Sequence, residues 1–176
     1  MKEKIKLVIP SNDYIRKIKG FKKDLSKHGY KEIHGGRDLM FQEDIGKWIE
    51  DSQDYSVGQN LPEGRLKATT FLVVRLKDNA VIGVVSLRHE LNDYLYNYAG
   101  NISYTIAPCG SKNNYASLML EQLVQKARIL EMSRLLITCV EGNKKAEEAI
   151  LRNKGEFINE VFDPTNAKLI KRYWIG

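Results

Sequence analysis

In the stretch APCGSKNNYASLMLEQLV, residues 107–124, a polar turn runs directly into a segment of helical apolar spacing. That arrangement suits one kind of chemistry, the holding of an anion. The first turn of a helix leaves backbone N–H groups without intrahelical partners and carries the positive end of the helix dipole. Ala116 is small, so the backbone at this first turn is open to close approach, and Tyr115, Leu120, Leu123, Ala127 and Leu130 form the apolar stripe that would anchor the helix. The turn has one glycine, Gly110, and carries Asn113 and Asn114 where a phosphate loop is usually glycine-rich. On the residues alone the stretch reads either as an anion site or as a plain connection, because every strand-to-helix unit has such a start. Cys109 and Cys139 have no CxxC spacing, and the chain has no HExxH or Cys/His ligand pattern. Neither a disulfide framework nor a metal centre is expected.

The elements that would position this stretch follow from periodicity. Residues 4–9 read as a short strand stopped by Pro10, and Ser11 or Asn12 as the cap of a helix with Ile15, Ile18, Phe21 and Leu25 on one face, ending at His28–Gly29. A second helix is predicted over 41–54, with Ile45, Trp48 and Ile49 inward, followed by the loop SVGQNLPEGR. The period then changes. ATTFLVVRL (68–76) and AVIGVVSLRH (80–89) are β-branched runs joined by KDN, and NISYTIA (101–107) follows, which predicts a three-strand antiparallel meander. After the 113–131 helix come the apolar strand RLLITCV, a helix from Asn143 to Gly155, and two final strands joined by a DPTN turn. The strand–helix–strand unit from 101 to 140 is expected to lay its two strands parallel and close in the sheet, with a right-handed crossover.

Composition narrows the class. The chain has 176 residues, 43% hydrophobic and 28% charged, as expected of one domain with a sizeable core. No apolar run approaches the length needed to cross a bilayer, and the basic start MKEKIKLVIPSND has too short an apolar run for a signal peptide, so a cytoplasmic location is expected. The net charge of +6 raises nucleic acid as a partner, but its distribution argues against it. Residues 1–31 hold ten Lys or Arg against three acids, placed between apolar positions as the wet face of a helix. Residues 32–64 hold eight acids against Arg37 and Lys47, a net of −6. That segment either concentrates a cationic ligand or is a solvated helix face.

Several phrases, in order along nearly the whole chain, resemble the GNAT superfamily of acetyl-CoA-dependent N-acetyltransferases. They are NLPEGRLKATTFLVVR, VIGVVSLRHELNDYL, NISYTIAP, NYASLMLEQLVQKA, LLITCVEGNKKAEEAI and LIKRYWI. The RHELN phrase (Arg88–Asn92) and the RYWI ending resemble one bacterial branch of it. The resemblance implies one GNAT-like domain over 1–176: an α/β fold with a mixed sheet, element order β-αα-βββ-α-β-α-ββ, and a central parallel strand pair splayed around the cofactor. It implies acetyl-CoA as cosubstrate, no metal, and a small amine or amino acid-like acceptor; it leaves a homodimer open and implies neither membrane nor nucleic acid.

The resemblance also assigns site residues. The family pattern [QR]xxGx[GA], whose amides wrap the CoA pyrophosphate, falls on Ser111, Lys112, Asn113, Asn114, Tyr115 and Ala116. Ser111 stands for the usual Arg or Gln and Asn114 for the glycine. Asparagine tolerates the left-handed backbone best among residues with a side chain, so the loop shape survives at modest strain and CoA is held more weakly. Tyr104, Thr105 and Ile106 would hold pantetheine through the main chain. Asn143 would contact the pantetheine arm, cap its helix, or do both. The implied reaction is direct attack of a neutral amine on the thioester, which needs a base and a proton donor for the departing thiolate. His89 and Glu90, at the end of the second meander strand, are the candidate bases. The family's tyrosine acid, seven residues after the asparagine, is replaced by Ile150, leaving water or a nearby hydroxyl for that role. A degenerate domain that binds CoA or a partner without turnover is the competing reading.

Overall fold

The computed structural model describes residues 4–108 and 114–176. Two faces of one sheet carry two separate cores, and the burial pattern explains why the central strands have no polar alternation. A four-stranded antiparallel sheet runs in the order β1 (Ile5–Val8), β2 (Ala68–Arg75), β3 (Ala80–Arg88), β4 (Ile102–Ile106). On one face, α1 (Ile15–Lys27) and α2 (Ile45–Val57) cover Leu72, Val74, Val81 and Val84 with Ile18, Phe21, Leu25, Ile45, Trp48 and Ile49. On the other, α3 (Tyr115–Ile129) and α4 (Lys144–Arg152) pack with β1, Phe71, Val73, Val85 and Leu87. A strand buried on both sides reads as a near-continuous apolar run, as Phe71–Val74 and Val81–Val85 do, while the buried polar positions of β2 and β3 are Thr69, Thr70 and Ser86. The register slips between Val73 and Val74, passing over Ile82. Ile82 therefore faces the α3 side although Val81 and Val84 face the other.

A second sheet, in the order β5 (Leu135–Val140), β7 (Lys168–Ile175), β6 (Glu156–Asp163), completes the α3-side core. Here the structure corrects one expectation. β4 and β5 do not lie side by side in a single sheet. Among the described residues their backbones bridge at one point, Gly100 to Ile137, with Asn101 N–H donating to Leu136 O (2.7 Å) and Leu136 N–H to the Asn101 side chain (2.8 Å). Beyond Asn101 the strands belong to different sheets, so each keeps one edge unpaired toward the other.

The connection between β3 and β4, read from sequence as a plain link, contains a π-helical turn over Leu95–Ala99. Gly100 N–H closes it onto Leu95 O at 2.6 Å, and the Asn92 side chain accepts from Leu95 N–H at 2.9 Å. Other boundaries differ by small amounts. Ser11 precedes a short 3₁₀ turn and makes no side-chain cap, α2 starts at Ile45 under an Asp44 cap, and Leu130 is exposed past the end of α3 while Met119 joins its buried stripe. Among the described residues no helix is long and apolar enough to cross a membrane.

Candidate functional site

The unpaired edges of β4 and β5 face a cleft of about 820 Å³. It is walled by Ile102–Ile106 on one side and Thr138–Val140 on the other, with the starts of α3 and α4 at one end. The β3–β4 ladder decides which β4 groups reach it. Arg88 N–H donates to Asn101 O (2.8 Å) and Ala107 N–H to Ile82 O (2.8 Å), so alternate residues from Asn101 to Ala107 spend their main-chain groups on β3. The N–H and C=O of Ile102, Tyr104 and Ile106 therefore turn to the cleft, ready to pair with an extended ligand as with an added strand. Thr105 is turned the other way, and its hydroxyl donates to His34 O at 3.0 Å. The three-residue assignment on this strand thus divides: Tyr104 and Ile106 offer main-chain groups to the cleft, and Thr105 is occupied by its neighbours.

At the cleft's end, Asn114, Tyr115 and Ala116 line the wall, while Ser111, Lys112 and Asn113 lie outside the described residues. Asn114 holds φ 54° and ψ 24°, the left-handed conformation that the glycine of the family pattern would adopt freely. It precedes α3 without capping it through its side chain. The Tyr115 ring is buried in the core. Leu118 N–H bonds Asn114 O at 3.1 Å, closing the first turn of α3, and Ala116 and Ser117 line the cleft beside it. Asn143 caps α4, its Oδ1 accepting from Ala146 N–H at 3.2 Å, and it also lines the cleft. Capping engages its oxygen and leaves the amide NH₂ to donate.

His89 and Glu90 do not line the cleft. Glu90 is solvent-exposed. His89 is tied back, with its Nε2 2.8 Å from Thr69 Oγ1 and its N–H on Lys67 O, and burial followed by the charge of Lys67 holds its pKa below the ordinary value. Ile150 is fully buried beneath α4, packed in the α3-side core. The hydroxyls that do line the cleft belong to Tyr94, Tyr98, Ser103, Tyr104 and Thr138, among others. Burial, with a smaller contribution from Cys139, pushes the Tyr104 phenol up to about 12, and burial likewise pushes the Cys139 thiol to about 11. Both stay protonated near neutral pH. No group of three or more metal-ligating side chains occurs among the described residues.

Three wall features come from the region around the β3–β4 connection and the β6–β7 turn. Tyr94 and Tyr98 come from the π-helical turn, their rings 5.3 Å apart. Asp163, read as a turn residue, is buried in the wall, accepting from Thr165 N–H (2.9 Å), Asn166 Nδ2 (2.7 Å) and Tyr94 OH (3.4 Å). These bonds, that from Asn166 foremost, hold its carboxyl below the usual range. Arg88 also enters the wall, donating from Nη1 to Gly100 O at 2.9 Å. Only the RHELN phrase, with an Arg and an Asn flanking a turn, hinted at this region.

Comparison with known proteins supports the same architecture. Solved structures of similar fold include the microcin C7 self-immunity acetyltransferase MccE in complex with acetyl-CoA and AMP, 18% identical with a TM-score of 0.70 over 97% of this chain and 91% of that one. The ribosomal L7/L12 α-N-protein acetyltransferase RimL in complex with coenzyme A is 14% identical, with a TM-score of 0.69 over 97% and 92%. A chimera of the Vibrio cholerae spermidine N-acetyltransferase SpeG with hSSAT is 19% identical, with a TM-score of 0.62 over 97% and 94%. No curated protein sequence matches the chain. The acetyltransferase (GNAT) domain model matches residues 34–155, which span the α1–α2 loop, the meander, the splayed strands and α4, and the chain therefore belongs to the GNAT acetyltransferase family.

Proposed function

We propose that the protein is an N-acetyltransferase that moves acetyl from acetyl-CoA to a primary amine of a small-molecule or amino acid-like acceptor by direct attack, as one cytoplasmic domain over 1–176. The observation that carries this reading is the cleft between two unpaired strand edges, with a left-handed Asn114 and a helix start at one end. Residues 111–116 would take the pyrophosphate on main-chain N–H groups, Tyr104 and Ile106 the pantetheine, and the Asn143 amide the same arm. The thioester carbonyl would be polarised by β4 N–H groups. No base is identified: His89 is engaged with Thr69, and Glu90 stands in solvent outside the cleft wall. A water relay therefore takes the amine proton, and a water or the protonated Tyr104 phenol gives a proton to the departing CoA thiolate as the C–S bond breaks. Among neighbours of this fold, the acceptors named range from spermidine to a ribosomal protein terminus, so the acceptor of this chain is a separate question.

The second reading, a CoA-binding domain without turnover, draws on Ile150, which places a buried hydrocarbon where the family acid stands. One pair of measurements separates them. Calorimetric titration of CoA should show binding to the wild type and a few-fold tighter binding to Asn114→Gly, which relieves the left-handed backbone at about 0.5–1 kcal/mol. Ala116→Glu should abolish binding with the fold intact, by crowding and repelling phosphate. Thiol release from acetyl-CoA with a panel of amines then decides the activity. Release supports the enzyme, binding without release supports the silent domain, and absence of binding in the wild type and Asn114→Gly removes both.

A further inference from the structure

Three arginines gather where the α1–α2 loop meets the ends of β2 and β3, and among the described residues none of them forms an ion pair. Burial is the main influence on both Arg37 and Arg88; after it, Arg88 feels the like charge of Arg65, whereas Arg37 feels Asp38 and Asp51 ahead of Arg65, and the described ion pairs include none of the three arginines. Arg37 is fully committed to structure. Its guanidinium donates to Thr70 Oγ1 (3.1 Å), Trp48 O (3.2 Å) and Ser52 Oγ (2.7 Å), and lies over the Trp48 and Tyr55 rings. Arg88 is different. It is half-buried in the cleft wall, and its one hydrogen bond among the described residues uses Nη1 on Gly100 O. Its other N–H donors have no protein partner there, and they are not sealed from solvent, since the orphan buried nitrogen among the described residues is Arg172 Nε.

A cation partly withdrawn from water costs free energy unless an anion or several acceptors compensate it, and a guanidinium with free N–H groups is matched to carboxylate or phosphate oxygens. The carboxylates of the cleft do not fill that role. Glu32 sits 3.3 Å from His34, Glu148 pairs with Arg152 at 2.6 Å, and Asp163 is occupied by Thr165, Asn166 and Tyr94. CoA phosphates do not fill it either. Arg88 adjoins the start of β4, whereas the helix start at Asn114–Ser117 follows its end, a strand's length away, roughly 16 Å at ~3.3 Å per residue.

We propose that Arg88 is an acceptor-binding residue whose guanidinium takes an anionic group, so that the acceptor is an amine that also carries a carboxylate or a phosphate. The inference rests on the acetyl-transfer reading for what the amine then does. It also reverses the simplest reading of the acidic 32–64 segment, because the uncompensated charge at this wall is positive.

The test uses matched amines in calorimetric titrations into the CoA-saturated protein. Alanine, leucine and phenylalanine are compared with their amides, and O-phosphoethanolamine with ethanolamine. At least one anionic member should bind on the order of tenfold tighter than its neutral partner, as a charge-assisted contact provides. The carboxylate and phosphate pairs show which oxyanion the site prefers. The preference should vanish in Arg88→Gln and survive in part in Arg88→Lys, with fold and CoA binding checked in each variant by melting temperature and CoA calorimetry, since Arg88 also holds Gly100 O. If Arg88→Gln loses the fold with its Gly100 contact, Arg88→Lys decides, and it should lose at least threefold of the preference through the lost fork geometry. Equal binding of both members in every pair, or a preference that persists in the folded variants, overturns the inference. Thiol release is read separately: a preference without release leaves the anion site standing and sinks acetyl transfer, and release without preference does the reverse.

Discussion

Asn114 and His89 show how a single side chain's surroundings redirect its role. Asn114 holds a left-handed backbone with no side-chain cap to stabilise it, so the shape of the helix start is maintained at a cost that glycine would not carry. His89 has the right chemistry for a base but the wrong partners, being hydrogen-bonded to Thr69 and half-buried. Its environment makes a pH prediction. Burial, and then Lys67, lowers its folded pKa from 6.5, so as pH falls the unfolded chain takes up the proton first. The stability supplied by the neutral imidazole is present above 6.5 and is lost as pH falls from there through the folded pKa. The melting temperature of the wild type should therefore drop between pH 7 and pH 5 by more than that of His89→Gln. Parallel curves for the two proteins would show that this imidazole does not titrate with folding. Ile150 is the complementary case: it points into the core, so the family's acid is replaced by packing rather than by another polar group.

At the scale of elements, the cleft exists because β4 and β5 part just beyond Gly100. Gly100 adopts φ 68° and ψ −170°, a region open in practice only to glycine, and a Cβ there would lie 2.4 Å from Leu136 O. The RHELN phrase secures the same junction from the other side. Arg88 holds Gly100 O, Asn101 returns its side-chain NH₂ to Arg88 O at 3.0 Å, and Asn92 starts the π-helical turn. Gly100→Ala should lower the unfolding free energy by about 1–3 kcal/mol, from strain at this backbone alone, and should weaken CoA binding because both cleft edges pivot on this point. The denaturant midpoint and CoA calorimetry check the two parts. An unchanged midpoint would mean the strands can part without this glycine. Gly35 serves the opposite wall in the same way, its φ of 81° letting the α1–α2 loop press onto Ser103, where a Cβ would meet the carbonyl at 2.3 Å.

For the whole molecule, charge and core are distributed on separate principles. The lysines of α1 lie on its wet face while Ile18, Phe21 and Leu25 enter the core, so the basic charge of this N-terminal helix is on a solvated surface. The acids of α2 and its flanks serve local structure: Asp44 caps the helix, Asp51 pairs with Lys47, and Asp54 accepts from Asn60. Of the acids in 32–64, Glu32 is the one in the cleft wall. Replacing the exposed Glu43 and Glu50 together with Gln should leave the KM for any accepted amine within about twofold at moderate salt, because charges beyond a Debye length of ~8–10 Å are screened. A several-fold rise in KM for amines, with the acetyl-CoA constant unchanged, would restore long-range steering by this segment.

What could be read without coordinates was whatever depends on neighbours along the chain. Helical spacing in residues 15–25 and 45–49, the β-branched runs of β2 and β3, and the asparagine tolerant of a left-handed turn are local properties, and each has its counterpart in the fold. Collinear phrases extended that reading to the family, which the match over 34–155 establishes. The tertiary structure decided the rest through contacts between distant segments. The parting of β4 from β5 depends on Asn101 meeting Leu136, 35 residues away, and the engagement of Thr105 depends on His34, 71 residues away. Whether an arginine is paired or free, or an isoleucine faces a cleft or a core, is set by which segments pack together. Periodicity along one segment carries no information about its partners, and for Arg88 that missing information is the charge balance of the site.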